Sequence, residues 1–440
     1  MLEQRERRVD RYDFNDLVQA EKGLVSRRIF IEDDIYQLEL EQIFARCWLF
    51  VCHESQIPNP GDFVSTYMGE DPVLVARGKD GEVRAFLNSC RHRGTRVCRA
   101  DAGNATAFTC PYHAWTYGND GRLLGVPGFQ EGYFGELDRE QWGLVPVAQL
   151  DSYCGLIFAT FDPAAPSLDD YLGDMKYYMD LVFNRRPGGT ELIGGVHKWR
   201  IPGNWKFAAD NFAGDGYHVP FSHASPAQAR ALTGERPPKS ARSGFQQNLR
   251  EVNPGGGHGL GMSLLDDRER ARQQFQDPLI RDYLQSINAD RERQLGPERG
   301  NKIGVVHATV FPNLSFLGTG ALRVWHPRGP ERMEIWAWIY VDKIAPPEVK
   351  DAFRRQSQFN FSASGVFEQD DGENWGQCTA SSRGWVARQH PFNYQMGLGH
   401  EQWMETHPGR RGGLIAEINQ RAFYQRWREM VTGSLWANLT

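Results

Sequence analysis

Cysteine is scarce in this chain, seven among 440 residues, and an odd number without regular spacing excludes the disulfide framework of a small secreted protein. Nowhere do eighteen apolar residues follow one another, and the opening "MLEQRERRVDRYDF" is charged where a signal peptide would be apolar. Neither sign of charge is in excess: 50 Lys and Arg stand against 55 Asp and Glu, a net charge of −5. That leaves no basic face for nucleic acid. Internal repeats, low-complexity tracts and a flavin or nicotinamide fingerprint are also missing. These absences predict a cytoplasmic protein with neither nucleic acid nor a membrane as partner. At 40% hydrophobic and 24% charged residues, the chain has room for two or three ordinary domains.

What is present begins with "NSCRHRGTRVCRADAGNATAFTCPYHAWTYG", which holds Cys90-x-His92 and Cys110-x-x-His113. Two short loops, each presenting one Cys and one His, match the ligand set of a Rieske [2Fe–2S] cluster, a carrier of single electrons. Gly94 and Gly118 are expected to turn the backbone beside the ligands, and Pro111 to stiffen the second loop. Trp115, Tyr112 and Tyr117 would keep water from the metal. Two Cys and two His also suit tetrahedral zinc, but zinc fingers usually open with two Cys two or more residues apart. Cys47, Cys52, Cys98, Cys154 and Cys378 show no paired spacing and read as buried thiols.

Residues 45–162 alternate as short strands with turn signals, including "PVLVARGKDGEVRAFLN" around a Lys79-Asp80-Gly81 hairpin turn. The proline-containing "DPAAPS" then links to "LDDYLGDMKYYMDLVF", which has helical spacing, as does "DDIYQLELEQIFARCW" before the strands. The fold class expected is α+β. A small antiparallel β domain over 45–162 is inserted in a larger domain of residues 1–44 plus 163–440, an antiparallel sheet flanked by helices. Residues 224 to 305 read as polar and loop-rich, with the glycine run near Gly255 as a flexible loop able to gate a pocket. The stretches from "VVHATVFPNLSFL" to "RMEIWAWIYVDK" read as consecutive strands, and "PEVKDAFRRQSQFNFSASG" as a long helix.

A second metal site is suggested by "NWKFAADNFAGDGYHVPFSHAS", with His218 and His223 five apart and Asp215 before them. Two imidazoles and one distant carboxylate form the facial triad that holds Fe(II) with a face open to dioxygen. On an ideal helix a spacing of five would turn the two side chains about 140° apart, so Pro220 between them implies a broken turn. The carboxylate is left among Glu368, Asp370, Asp371 and Glu373 in "GVFEQDDGENW".

With "DNFAGDGYHVPFSH", "HATVFPNLSFL", "SASGVFEQDDGEN" and "NYQMGLG…INQRAFYQRW", the whole chain resembles the large (α) subunit of Rieske non-haem iron aromatic ring-hydroxylating dioxygenases of the naphthalene and biphenyl type. The resemblance implies a Rieske cluster on Cys90, His92, Cys110 and His113, and a mononuclear Fe(II) on His218, His223 and Asp371. It gives Asp215 the role of a bridge to His113 of a neighbouring subunit, in an α3 trimer or an α3β3 assembly with a small β subunit. Asp210 stands where members often carry Glu. Asn211, Phe212, Ala213, His307, Leu317, Phe361 and Phe367 would line the pocket, with Asn211 and His307 its polar exceptions. The activity implied is addition of both atoms of O2 to a mono- or polycyclic arene, giving a cis-dihydrodiol, with electrons from NAD(P)H through a reductase and a ferredoxin. Monohydroxylation of a substituted arene such as salicylate, O-demethylation, or service as an electron carrier alone are the other readings.

Overall fold

A computed structural model of the chain describes residues 11–225, 248–413 and 415–433. Two compact units emerge, one of residues 44–168 and one of the residues up to 43 together with those from 169 onward.

In the 44–168 unit the alternating stretches form short strands that differ in burial: Leu49–His53 and Leu156–Thr160 are buried at every residue, and Ala102–Asn104 is exposed throughout. One antiparallel sheet has the order Val83–Leu87, Asp71–Arg77, Asp62–Met68, Ala102–Asn104. The Lys79-Asp80-Gly81 turn joins its first two members, with Gly81 at φ +86° and Arg84 clasping Asp80 through both guanidinium nitrogens at 3.0 and 2.7 Å. A second sheet orders Leu123–Gly125, Thr116–Gly118 and Ala107–Thr109, and a third orders Gln149–Tyr153, Leu156–Thr160 and Leu49–His53. Phe63, Leu74, Phe86, Phe108, Trp115 and Tyr117 are among the buried side chains of this unit's core, which also takes in Cys90 and Cys110.

The larger unit is built on a nine-stranded antiparallel sheet. Its order runs Thr190–Ile201, Met333–Asp342, Ala321–Pro327, Leu314–Leu317, Gly304–Val310, Gly259–Ser263, Leu249–Asn253, Arg410–Arg411, Gln402–Trp403. Helix Trp205–Gly214 packs on the middle of this sheet and against helix Ile418–Val431. Asn204 caps the first of these, its side-chain oxygen accepting from Lys206 N–H at 3.0 Å. Glu39, fully buried, accepts from Lys206 Nζ (2.5 Å), Trp205 Nε1 (2.9 Å) and Trp427 Nε1 (2.8 Å), tying the two helices to the N-terminal segment. A buried carboxylate with three donors and a cationic partner meets the condition under which a buried charge is tolerated.

The loop-rich reading of 224 to 305 is overturned. Residues 226–247 lie outside the described residues, but the rest forms a hairpin of Leu249–Asn253 with Gly259–Ser263, then helices Asp267–Gln274, Pro278–Ser286 and Asn288–Leu295. The glycine run is the hairpin's turn, not a loop gating the iron pocket: Gly255, Gly256 and Gly257 take φ of +97°, +63° and +80°, a succession that β-carbons would resist. Helix Asp267–Gln274 escaped notice because "DRERARQQ" is polar on nearly every face. Two cysteines also depart from expectation, since Cys154 and Cys378 are half-buried while Cys47, Cys52 and Cys98 are buried. Among the described residues no helix is long and apolar enough to cross a membrane.

Candidate functional site

The two cysteine loops of the 44–168 unit are built alike. Cys90 N–H donates to Thr95 O (2.9 Å) and Gly94 N–H to Cys90 O (2.8 Å); Cys110 N–H donates to Trp115 O (2.8 Å) and Ala114 N–H to Cys110 O (3.0 Å). The fourth residue after each cysteine is left-handed, at φ +76° for Gly94 and +57° for Ala114. The turn expected at Gly118 is therefore supplied by Ala114, at a strain of about 1 kcal/mol, while Gly118 ends a strand. Both thiols are buried, and the His92 and His113 rings lie 4.6 Å apart between centroids. His92 stacks on buried Trp115 at 5.2 Å. Tyr112 does not shield the site as expected; it is 57% exposed and lies against His113.

Tyr117 is fully buried, and its hydroxyl accepts from Arg91 N–H at 3.1 Å. That hydroxyl lies 3.3 Å from Cys90 Sγ, to which it would donate once that sulfur is a metal-bound thiolate, which can only accept. His92 Nδ1 is buried and makes no hydrogen bond, the state of an atom reserved for a metal. Among the described residues, His218, His223 and Asp371 form the one group of three or more whose ligand atoms all lie within 4.8 Å of one another. The cysteine loops therefore do not converge on a single point as tetrahedral zinc requires, and a two-iron cluster that divides its ligands in pairs fits them better.

In the larger unit, helix Trp205–Gly214 ends at Asp215, and a single helical turn, Val219–Ser222, separates His218 from His223. The pair therefore flanks the turn at its two ends, which resolves the awkward spacing. His218 Nε2 and His223 Nε2 are 3.2 Å apart, and Asp371 Oδ1 lies 3.2 and 3.4 Å from them. Three ligands at mutual right angles about one ion, each roughly 2.1 Å from it, would be separated by about 3 Å. Asp371 Oδ1 is buried without a hydrogen-bond donor.

Outer partners fix both rings. His218 Nδ1 contacts the Asp215 carbonyl, which can only accept, so the proton sits on Nδ1 and Nε2 is left as ligand. Asp370 Oδ2 lies 3.2 Å from His223 Nδ1 and does the same there. The four acidic candidates thus separate. Asp371 faces the imidazoles, Asp370 stands behind one of them, Glu368 is buried on Arg323 (2.6 Å), and Glu373 is exposed. Burial works to lower the pKa of His218, but hydrogen bonds and charge from Asp215 and Asp371 outweigh it and raise it to about 10. A cation at Nε2 would meet the same negative field.

A cavity of about 250 Å3 opens beside this triangle, and Asn211, Phe212, His307, Leu317, Phe361 and Phe367 line it together with Val306 and Thr319. Ala213 is not a wall residue: it is fully buried, and its carbonyl accepts from Asn419 Nδ2 at 2.7 Å. Sequence reading missed Gln273, Gln274, Gln276 and Asn360, which also reach the cavity. Three of these belong to the segment read as loops; a recognisable helix pattern would have revealed Gln273 and Gln274, while Gln276 lies in the connection beyond that helix. Behind the wall, His307 Nδ1 donates to Phe212 O (3.0 Å), and buried Glu251 accepts from Gly216 N–H (3.3 Å) and Asn419 Nδ2 (3.1 Å). With His307 Nε2 and Glu251 3.6 Å apart, the two hold the backbone on either side of Asp215. Asp215 itself accepts from Asn211 Nδ2 (3.0 Å), and a third of its side chain stays exposed.

Comparison with known proteins covers both units. Residues 47–149 match the Rieske [2Fe–2S] domain family, and residues 168–433 match the ring hydroxylating alpha subunit (catalytic domain) family. The chain is 44% identical over 433 residues to the biphenyl 2,3-dioxygenase subunit alpha of Rhodococcus jostii (strain RHA1), covering 97% of this chain and 93% of that protein. It is 44% identical over 439 residues to a benzene 1,2-dioxygenase subunit alpha of Pseudomonas putida, covering 97% and 95%. A solved naphthalene 1,2-dioxygenase with indole bound in its active site superposes with a TM-score of 0.86 at 32% identity, over 97% of this chain and 96% of that one.

Proposed function

The chain belongs to the ring-hydroxylating oxygenase alpha-subunit family, a Rieske domain joined to a catalytic domain, and from that premise we infer that it is the terminal oxygenase that dihydroxylates an aromatic hydrocarbon. The observation that carries this reading is the triangle of His218, His223 and Asp371 opening on a cavity with mostly apolar walls. When bound, Fe(II) on that triangle supplies the site for dioxygen activation, and a [2Fe–2S] cluster on Cys90, His92, Cys110 and His113 supplies single electrons.

The chain's own residues do the rest. Phe212, Val306, Leu317, Phe361 and Phe367 exclude water and pack an arene, and Asn211 with His307 supply polar contacts at its edge. A volume of about 250 Å3, just under the roughly 300–1,000 Å3 of drug-sized sites, suits one or two rings. The printed names of the relatives, biphenyl, benzene and naphthalene dioxygenases, agree with that size. Ferredoxin and an NAD(P)H-dependent reductase supply the electrons in this reading. Asp215 joins the two metal sites across a subunit boundary, accepting from His218 on one side and from His113 of a neighbouring copy on the other. Its partial exposure leaves the second contact open.

The test is turnover of benzene, biphenyl and naphthalene under labelled dioxygen with ferredoxin, reductase and NADH. A cis-dihydrodiol carrying both labelled atoms is expected; a monohydroxylated product with one labelled atom would overturn the assignment.

A further inference from the structure

Away from the iron triangle, three arginines are gathered in the interior of the larger unit. Arg185 follows helix Met175–Phe183, Arg270 lies on helix Asp267–Gln274, and Arg291 lies on helix Asn288–Leu295. Their side chains are 12%, 9% and 6% exposed. Two buried carboxylates answer them. Asp342 takes Arg185 in a two-point contact of 2.8 and 2.9 Å, and Asp267 is shared between Arg270 and Arg291.

One positive charge is therefore left without a buried counter-charge, a costly condition in a low-dielectric interior. Arg291 Nε is buried and makes no hydrogen bond. All three arginines line a cavity of about 40 Å3, together with Asp267, already matched in the count of charges, with Gln274, and with apolar side chains such as Leu181, Val182 and Phe275. That is room for one water-sized ion. Gly304 helps to make the space, since a β-carbon there would sit 2.5 Å from Arg270 Cζ. Burial and mutual repulsion depress Arg270 and Arg291 to about 9.

We propose that this arginine cavity binds one small monovalent anion of the halide class, chloride in kind, as a built-in counter-ion. The site adjoins the catalytic wall. Gln274 lines both cavities, and Val305 and Gly318 face the arginines while their neighbours Val306, Leu317 and Thr319 face the iron pocket. Anion occupancy thus holds helix Asp267–Gln274, and with it Gln273 and Gln274, in place.

Two measurements on the assembled, metal-loaded protein decide the matter. Crystals grown with sodium bromide should show an anomalous peak among Arg185, Arg270 and Arg291. In solution, chloride or bromide should give a saturable rise of roughly 2 °C in the unfolding midpoint over sodium gluconate at equal ionic strength. Arg291→Met should fold and lose the halide dependence, because it removes the surplus charge. No bromide at the arginines, or the same halide response in wild type and Arg291→Met, overturns the proposal. Should Arg291→Met fail to fold, the bromide map alone settles it.

Discussion

In the 44–168 unit, four candidate ligands come from one short stretch of chain, on two loops closed by the same pair of backbone hydrogen bonds. In the larger unit, three ligands come from segments far apart in sequence, and they meet only because helices Trp205–Gly214 and Glu368–Ser382 are brought together. The first site lies close to solvent, with Tyr112 exposed beside His113, whereas the second is walled by buried Phe212 and half-buried Phe361 and Phe367. In the function proposed, electrons enter from a separate protein, so one site needs a face near the surface; oxygen chemistry is kept from water, so the other needs seclusion.

If the sites are independent in how they hold metal, Asp371→Ala should strip the mononuclear iron and abolish turnover, about 10³-fold or more by analogy with other lost catalytic groups. The cluster's visible and electron-paramagnetic spectra should stay unchanged. Simultaneous loss of the cluster would break the comparison. Coupling between the sites is tested next. Asp215→Ala should leave both metals bound yet reduce product formation by roughly 10²-fold, read as iron content against coupled activity; full activity would remove its bridging role.

A smaller effect belongs to the cluster side alone. Tyr117→Phe deletes a hydroxyl that donates to Cys90 Sγ, and loss of about 1 kcal/mol of selective stabilisation of the reduced cluster lowers the potential by roughly 50 mV. Protein-film voltammetry reads it, and an unchanged potential would show the contact to be incidental.

The smallest effect concerns pH. Asp210 is fully enclosed beside the Tyr394 and Tyr424 hydroxyls, and burial, opposed by those donors, raises it from 3.8 to about 8. The folded state thus holds a proton that the unfolded chain gives up, and stability falls as pH rises from 3.8 toward 8. Asp210→Asn should flatten that slope by at most about 1.4 kcal/mol per pH unit, visible as unfolding midpoints that lie close to those of wild type at acid pH and separate from them toward neutral pH, where wild type loses stability.

The same contrast explains what was legible in the chain. Cys90, His92, Cys110 and His113 could be read because a local ligand set leaves its geometry in the spacing, and the strands of the 44–168 unit showed their period of two. For His218 and His223 spacing gave the pair but not the shape between them. Asp370 and Asp371 are neighbours on one helix about 100° apart, and only tertiary packing decides which one faces the imidazoles. Gln273 and Gln274 stayed hidden because their helix is polar on nearly every face, Gln276 because it lies in the short connection beyond that helix, and Ala114 because no composition rule marks an alanine for a left-handed turn.

The single turn Val219–Ser222 makes His218 and His223 the two grips of one short handle. The backbone between the two imidazoles is closed on itself, His218 O accepting from Phe221 and Ser222 N–H at 2.9 and 2.8 Å and Val219 O from His223 N–H at 3.3 Å, so the distance between the grips is set by four residues and not by the rest of the fold.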